Sequence, residues 1–323
     1  MKEKKLNIAS PKRSCVSILI SVVTVICLLT TIVYAAESTP HSGNWFNQFL
    51  GKAPSETEVV LTQNQQAILD QGVVHFDQSM THNGYTITLE SGISDGRRAL
   101  FTFRVDAPDG VVFKANQYGL LLETNMKLPD SSEGNYGLGY CGGSILEDDN
   151  PNDNSILFLK EYCVQLPIDA EYSTAEGNTW SFHITGIQEY GVSANVLIAE
   201  GSWDFTVKFS DNSMVTKFVE LLEQPVKCSA KRYLRDWKFN IQAKVTSFQL
   251  GTLSATVLYN RPFAGFWDGV MLDNPIYLVM NDGSKVQATF RMSVNRKRYE
   301  ECMYVFDRPV SFADVAYVEF PHT

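Results

Sequence analysis

The chain has 323 residues, of which 44% are hydrophobic and 20% charged, and its net charge is −9. This composition is ordinary for a folded globular chain, and the length suggests about two domains. Five basic residues and one acidic residue give residues 1–13 a net charge of +4, so the rest of the chain carries −13. Because an acidic body repels the nucleic-acid backbone, we predict no nucleic-acid partner.

Residues 14–36 form an uncharged apolar run behind the basic head at residues 1–13. About 20 apolar residues span a bilayer, whereas the apolar region of a cleavable signal has about 7–15 residues. We therefore predict a retained single-pass anchor in the cell membrane, with the C-terminal body outside because the basic head stays in the cytoplasm. Val33-Tyr34-Ala35 also fits a signal cleavage site, so a cleaved signal and a secreted protein are the alternative.

Residues 37–82 are predicted to form a connector with short helices. The aromatic residues of Asn44–Gly51 are typical of a short amphipathic helix, which lies either at the membrane interface or against the first domain. The stretch "TQNQQAILDQ" at Thr62–Gln71 predicts a second short helix.

From Tyr85 onward, short runs with alternating apolar residues are separated by turn residues, a pattern typical of β-strands. The runs of the first set include "YTITLES", "ALFTFRV", "YGLLLET", "SILFLKEYCVQL", "WSFHITGI" and "WDFTVKF". Because no long helices lie between them, we predict an antiparallel β-sandwich domain at residues 83–212, with Trp180 and Trp203 in its core.

A second set of alternating runs occupies residues 213–323, where Asn281-Asp282-Gly283 predicts a hairpin turn. We interpret this set as a second sandwich. The predicted fold is therefore all-β, with two Ig-like antiparallel β-sandwich domains after the N-terminal transmembrane or signal segment.

Four cysteines lie in the body of the chain, where export to an oxidising compartment permits disulfides. The sequence separations favour the pairs Cys141–Cys163 and Cys228–Cys302, with one bridge in each half. The other pairings, and four reduced thiols, stay open because connectivity does not follow from sequence.

Residues Phe76–Pro108 carry a recognisable order of features: a start related to N-Q-S, a short turn, an alternating strand, a D-G turn and a second strand. The positions that carry this order are Gln78-Ser79, His82-Asn83-Gly84 and Asp95-Gly96. The chain resembles an uncharacterised ectodomain family of Gram-positive single-pass membrane proteins, which are often linked to extracytoplasmic-function sigma factors.

The resemblance implies that Glu200–Ser210 closes the first domain and that an Ig-like domain follows it. It also implies a role as a sensing or anti-sigma partner. The head at residues 1–13 is too short to fold around a sigma factor, however, so we predict an accessory role without direct sigma-factor binding.

The sequence carries no recognisable catalytic set. Its five histidines show no H-E-x-x-H spacing, and no G-x-S-x-G segment is present. The acidic stretch Glu147–Ser155 does not match the spacing of an EF-hand loop, and we interpret it as an exposed loop. We therefore predict that the protein is not an enzyme and has no metal and no cofactor.

An aromatic cluster in Leu258–Gly269 is the candidate partner-binding site. Its residues are Tyr259, Phe263, Phe266 and Trp267. Aromatic side chains in a loop suit binding to a protein, a peptide or a sugar face. The alternative is that they fill one end of the second sandwich or pack at the domain interface.

These features predict a non-enzymatic extracytoplasmic binding or sensing module at the cell surface. Its partner is an unknown protein or a cell-wall ligand, and the membrane is reached through residues 14–36. The alternative function is a structural or adhesion protein associated with the cell wall, which is secreted if the signal is cleaved.

Overall fold

A computed structural model of the chain shows the architecture. It describes residues 46, 50, 61–113, 118–127, 137–146, 153–165, 178–191, 194–209, 219–220, 226–234, 237–260, 276–296 and 299–320. Residues 43–323 form one compact unit. The described part is mostly β-structure with antiparallel, sandwich-like sheets, so the predicted all-β fold is confirmed.

The first eight strands build two sheets. Their bounds, from β1 to β8, are Val74–His82, Tyr85–Ser94, Arg98–Asp106, Tyr118–Lys127, Gly137–Leu146, Ser155–Gln165, Thr179–Glu189 and Val196–Lys208. One sheet has the order β1-β2-β3-β6-β5, and the other has the order β4-β7-β8. All neighbouring strands are antiparallel.

Large aromatic side chains from both sheets fill the space between them. The ring of Phe101 on β3 lies 4.8 Å from that of Phe182 on β7, and 5.0 Å from that of Trp180. Trp180 and Trp203 are buried, as predicted. Because such rings each bury a large apolar area, this cluster holds the two sheets face to face.

The predicted connector ends earlier than residue 82. The helix Gln63–Gly72 forms as expected, with Thr62 and Gln65 in a reciprocal capping box. Residues Val74–His82, however, pair with β2 as the edge strand β1. The sequence conceals this strand because Asp77 has a φ of 47° at a register shift, which interrupts the apolar alternation.

The remaining eight strands form one continuous antiparallel sheet. Its main order is β10-β11-β12-β15-β14-β13-β16, and β9 pairs with β11. The bounds from β9 to β16 are Val219–Glu220, Val226–Leu234, Trp237–Leu250, Ser254–Asn260, Ile276–Met280, Lys285–Arg296, Tyr299–Phe306 and Val315–Glu319, with a short 3-10 helix at Phe312–Asp314.

This second sheet folds over its own core. Cys228 on β10 and Leu278 on β13 belong to the same buried cluster. Four other strands lie between β10 and β13 in the sheet order, so the sheet must curve to bring these two residues together. The turn between β13 and β14 lies at the predicted Asn281-Asp282-Gly283, where Gly283 has a φ of 83°. The predicted domain boundary at residues 212 and 213 lies outside the described residues and stays a prediction.

The sheet orders place two edge strands on the same side of the first sandwich. Strand β5 is the last strand of the five-stranded sheet, and β4 is the first strand of the three-stranded sheet. The two strands approach each other, and the opposite side of the sandwich is closed by contacts between β1 and β8.

Candidate functional site

A cleft of about 270 Å³ opens between β4 and β5. Its lining comes from β4, β5, β6 and the segment after β7, and consists of Leu120, Leu122, Thr124, Leu138, Tyr140, Lys160, Tyr162 and Tyr190. Three tyrosines and one lysine therefore surround an otherwise aliphatic floor. The volume is close to the lower end of the range for small-molecule sites, about 300 Å³.

Lys160 occupies a position of β6 that faces the sandwich core. Alternate residues of a strand share one face, and the other described members of this face belong to the first core: Ile156, Phe158, Tyr162 and Val164. Lys160 pairs with Phe101 on β3 and with Gly143 on β5. Gly143 leaves room for the lysine, since a Cβ there would lie 3.3 Å from the Lys160 Cδ and 2.8 Å from the Tyr140 hydroxyl.

The ammonium group of Lys160 is held among aromatic rings. Its Nζ lies 5.7 Å from the centre of the Tyr140 ring and 5.6 Å from that of Phe158. Such cation–π contacts stabilise a desolvated cation. Within the described part of the chain, no carboxylate lies within ion-pair distance of this Nζ. The side chain is only 9% exposed, and burial lowers the pKa of Lys160.

The three tyrosines lie at different depths. Tyr162 is buried, and its hydroxyl is 2.8 Å from the Thr124 Oγ1 on β4, which joins the two sheets at the floor of the cleft. Tyr140 and Tyr190 form the rim, with 61% and 43% of their surfaces exposed. Burial raises the pKa of both Tyr140 and Tyr162, so both hydroxyls stay protonated at neutral pH and can donate.

A disulfide lies beside the rim. Cys141 on β5 is bonded to Cys163 on β6, with Cα atoms 6.0 Å apart, so this predicted pairing is confirmed. The bridge ties edge strand β5 to the rest of its sheet next to Tyr140. The predicted pair Cys228–Cys302 is wrong, because Cys228 on β10 and Cys302 on β15 both lie in the second core as thiols and no disulfide joins them. Burial raises the pKa of the Cys228 thiol to about 11.

The five-stranded sheet also joins the first strand set to the second, on the face opposite to the cleft. The turn between β2 and β3, "SDGRR" from Ser94 to Arg98, reaches the turn between β11 and β12. The Asp95 Oδ1 accepts hydrogen bonds from the backbone N–H groups of Arg97 and Arg98, at 3.0 and 2.8 Å. Its Oδ2 accepts from the Leu253 N–H and the Ser254 hydroxyl, both at 2.8 Å.

Arg98 completes this junction. Its Nε donates to the Glu161 Oε1 at 2.7 Å, and its Nη1 donates to the carbonyl oxygens of Phe306 and Leu253 at 2.7 and 3.3 Å. Burial lowers the pKa of Arg98, and the carboxylates of Glu161 and Asp95 oppose that shift. Arg97 adds a buried contact to Glu301 at 3.3 Å. The junction is therefore a hydrogen-bonded network with little access to water.

His183 on β7 and Asp204 on β8 form an exposed pair. The His183 Nδ1 is 2.6 Å from the Asp204 Oδ1, and Ser202 donates to the Asp204 Oδ2 at 2.9 Å. The hydrogen bond to His183 lowers the pKa of Asp204. Because the serine binds the carboxylate instead of the imidazole, the arrangement does not activate a nucleophile. No cluster of metal-ligating side chains is found among the described residues.

The predicted aromatic cluster is only partly described. Tyr259 is fully buried in the second core, 3.3 Å from the Tyr304 hydroxyl, so it packs the sandwich and cannot face a partner. Phe263, Phe266 and Trp267 lie outside the described residues, as do residues 147–152 of the acidic stretch. No helix in the described ranges has the length and apolar character to cross a bilayer, and residues 14–36 are outside those ranges.

Sequence reasoning missed Lys160 and the junction. The signal for Lys160 was present, because the alternation I-F-K-Y-V along β6 places one cation among apolar residues. The turn "SDGRR" was identified, but nothing in a single turn indicates which distant backbone groups its aspartate and arginines bind.

Comparisons with known proteins give the fold alone. No family model and no curated protein matches the chain. The structure of a conserved domain protein from Bacillus anthracis is similar, with a TM-score of 0.51 at 13% identity over 83% of this chain and 81% of that one. The N-terminal periplasmic domain of ScsB from Proteus mirabilis gives a TM-score of only 0.21 at 9% identity, over 77% and 94% of the two chains, and carries no argument.

Proposed function

We propose that this chain is a non-enzymatic binding module of the cell exterior, and that the cleft between β4 and β5 is its ligand site. The observation that carries the proposal is the composition of the cleft. Three tyrosines and a buried lysine line one concave site of the first sandwich. Convergent polar groups on an apolar floor are typical of ligand sites.

The rim residues suit reversible recognition. Tyrosine offers a large flat surface with a hydroxyl at its end and loses little conformational entropy on binding. The disulfide holds the rim strand β5 in place, which reduces the ordering cost when a ligand binds. Disulfides persist in oxidising compartments, which supports a location outside the cytoplasm. The basic head and apolar run of residues 1–36 support a membrane-tethered or secreted form.

A ligand-observed NMR screen of the full-length protein in detergent tests this proposal. The library contains monosaccharides, amino acids and dipeptides, the building blocks of cell-wall polymers and peptides. We expect binding that is lost in the double variant Tyr140→Ala/Tyr190→Ala, because both rim rings are removed. Tyr317→Ala is the matched control, since Tyr317 is an exposed tyrosine of β16 in the other strand set.

Equal binding by the rim variant and the wild type would reject the cleft as the ligand site. The structural or adhesion alternative makes a different prediction. In that case the rim variant stays associated with the cell wall, and no small compound binds the wild type. N-terminal mass analysis of the membrane and medium fractions then decides between the tethered and the secreted form.

A further inference from the structure

We propose that the cleft recognises an acid group, a carboxylate or a phosphate, carried by a ligand of about one ring, and that Lys160 is the residue that binds it. This inference rests on the proposed function and names the chemistry of its ligand. The tyrosines contact the ring, and their hydroxyls donate to the ligand's oxygens.

Lys160 is a charged residue on the core-facing side of β6. A charged side chain on the core-facing side of a central strand costs free energy unless it is paired. Neither a hydrogen bond nor an ion pair joins the ammonium group to another side chain of the described ranges, although its Nζ contacts two rings. Residues that break a local packing rule in this way occur at functional sites. A bound anion supplies the missing partner.

The charge of the cleft lining indicates the charge of its ligand. Among the described residues, the cleft lining presents one ammonium group, the tyrosine and threonine hydroxyls and aliphatic carbons, and no carboxylate. A cationic ligand would be repelled by Lys160. A neutral ligand would leave the ammonium without a counter-charge. An anion gains a charge-assisted hydrogen bond from an ammonium group that is itself largely buried.

The size of the cleft limits the size of its ligand. The volume of about 270 Å³ lies near the lower end of the range for small-molecule sites, about 300 Å³. This space accepts one ring with an acid substituent. The Tyr140 and Tyr162 rings are 5.8 Å apart in an edge-to-face arrangement, so a ring that enters the cleft would meet aromatic side chains.

The test uses the full-length protein in detergent after reductive methylation of its lysines with ¹³C-formaldehyde, which keeps their charge. The resonance of Lys160 is the one that disappears in Lys160→Met. The probes are glucuronate, glucose 1-phosphate, neutral glucose, acetate and inorganic phosphate, at constant ionic strength maintained with sodium chloride. We expect the ring acids to shift the Lys160 resonance in a saturable way, and one of them to bind about 10- to 100-fold more tightly than glucose.

Two variants separate charge from shape. Lys160→Met keeps the length of the side chain without the charge and should lose the preference for acids, whereas Lys160→Arg should retain it. Lys285→Met is the matched control, because the Lys285 Nζ also lies 5.7 Å from a tyrosine ring, that of Tyr277, but is 2.5 Å from Glu319. This variant should bind the acids like the wild type.

Several outcomes overturn the inference. It fails if glucose binds as tightly as both ring acids, if Lys160→Met keeps the preference for acids, or if no acid shifts the Lys160 resonance. A neutral ligand that binds at Tyr140 and Tyr190 without help from Lys160 would remove the inference and leave the proposed function standing. Lys160→Arg also removes the Lys160 resonance, so the assignment and the comparison of probes on the wild type remain available where Lys160→Met does not fold.

Discussion

Lys160 and Glu161 are adjacent residues of β6 with opposite surroundings. Both are buried, and the alternation of the strand directs them to opposite faces of the sheet. Glu161 accepts a hydrogen bond from Arg98 at the junction with the second strand set. Its Oε2 lies 3.8 Å from the Arg291 Nη2. Lys160 points into the cleft and contacts aromatic rings in place of an acid.

This difference separates a structural charge from a charge available to a ligand. A buried ion whose partners are fixed contributes rigidity, and removing one partner leaves the other uncompensated. A buried ion without a counter-charge is destabilising by itself, and a ligand that supplies the counter-charge recovers that cost. The same strand therefore connects the cleft on one face with the junction on the other.

The largest effect is expected for Arg98→Met. The substitution removes the donor to the Glu161 carboxylate and to the Phe306 carbonyl oxygen, so we expect the free energy of unfolding to fall by about 3–5 kcal/mol. Urea unfolding checks this with two signals. Tryptophan fluorescence follows the unfolding of the whole chain, since Trp180 and Trp203 lie in the first core and Trp237 on β11, and labelling of the buried thiols Cys228 and Cys302 follows the second core.

Arg104→Met is the control for this measurement. Arg104 lies on the same strand as Arg98 and pairs with Glu90, but half of its side chain is exposed. Its loss should cost about 1 kcal/mol or less, because water screens an exposed ion pair. Equal destabilisation by the two variants would show that the junction has no special role in stability.

A smaller effect is expected for Asp95→Asn. An amide has one oxygen in place of two, so it cannot accept both the bonds within the β2–β3 turn and the bonds from Leu253 and Ser254. We expect a loss of about 1–3 kcal/mol in the free energy of unfolding, from buried donors that lose their acceptor. Asp282→Asn is the matched control, since Asp282 accepts from the Ser284 N–H in an exposed turn.

The comparison on β6 also shows what sequence can and cannot predict. The strands and turns follow from local alternation and turn residues, which is why the two strand sets and the hairpin at Asn281-Asp282-Gly283 were predicted. Strand β1 was missed because its bulge at Asp77 breaks the alternation. The pair Cys228–Cys302 was wrong although both residues lie in one core, because a disulfide needs a specific geometry that sequence separation does not give.

The candidate site could not be predicted from local sequence patterns, because it depends on the order of the strands in the sheets. The aromatic cluster at residues 259–267 attracted attention by composition, yet its one described member, Tyr259, belongs to a core. The cleft is formed by side chains from β4, β5, β6 and the end of β7, which lie far apart in the sequence. Only the sheet orders, with β4 and β5 as neighbouring edges, bring Tyr140, Lys160 and Tyr190 together.

The smallest effect on stability is expected for Lys160→Met, and its sign is opposite to that of the other variants. At neutral pH the variant should be more stable than the wild type by up to about 1 kcal/mol, because the cost of burying the cation exceeds its contacts with the rings. Burial lowers the pKa of Lys160 below the ordinary value of 10.5. Between the lowered pKa and 10.5, the unfolded chain binds more protons at this position than the folded chain, so the wild type gains stability as the pH rises.

The advantage of Lys160→Met should therefore shrink as the pH approaches 10.5, as urea unfolding of both proteins across that range would show. Tyr140 and Tyr162, which also face the lysine, are present in both proteins, so their own titration largely cancels in the difference. Lys285→Met provides the opposite case. Its hydrogen bond to Glu319 raises the pKa of Lys285, so its contribution is fully present below 10.5 and is lost only above it. If the stability difference between Lys160→Met and the wild type stayed constant as the pH approached 10.5, as expected for Lys285→Met in that range, the Lys160 ammonium would already be compensated in the unliganded protein.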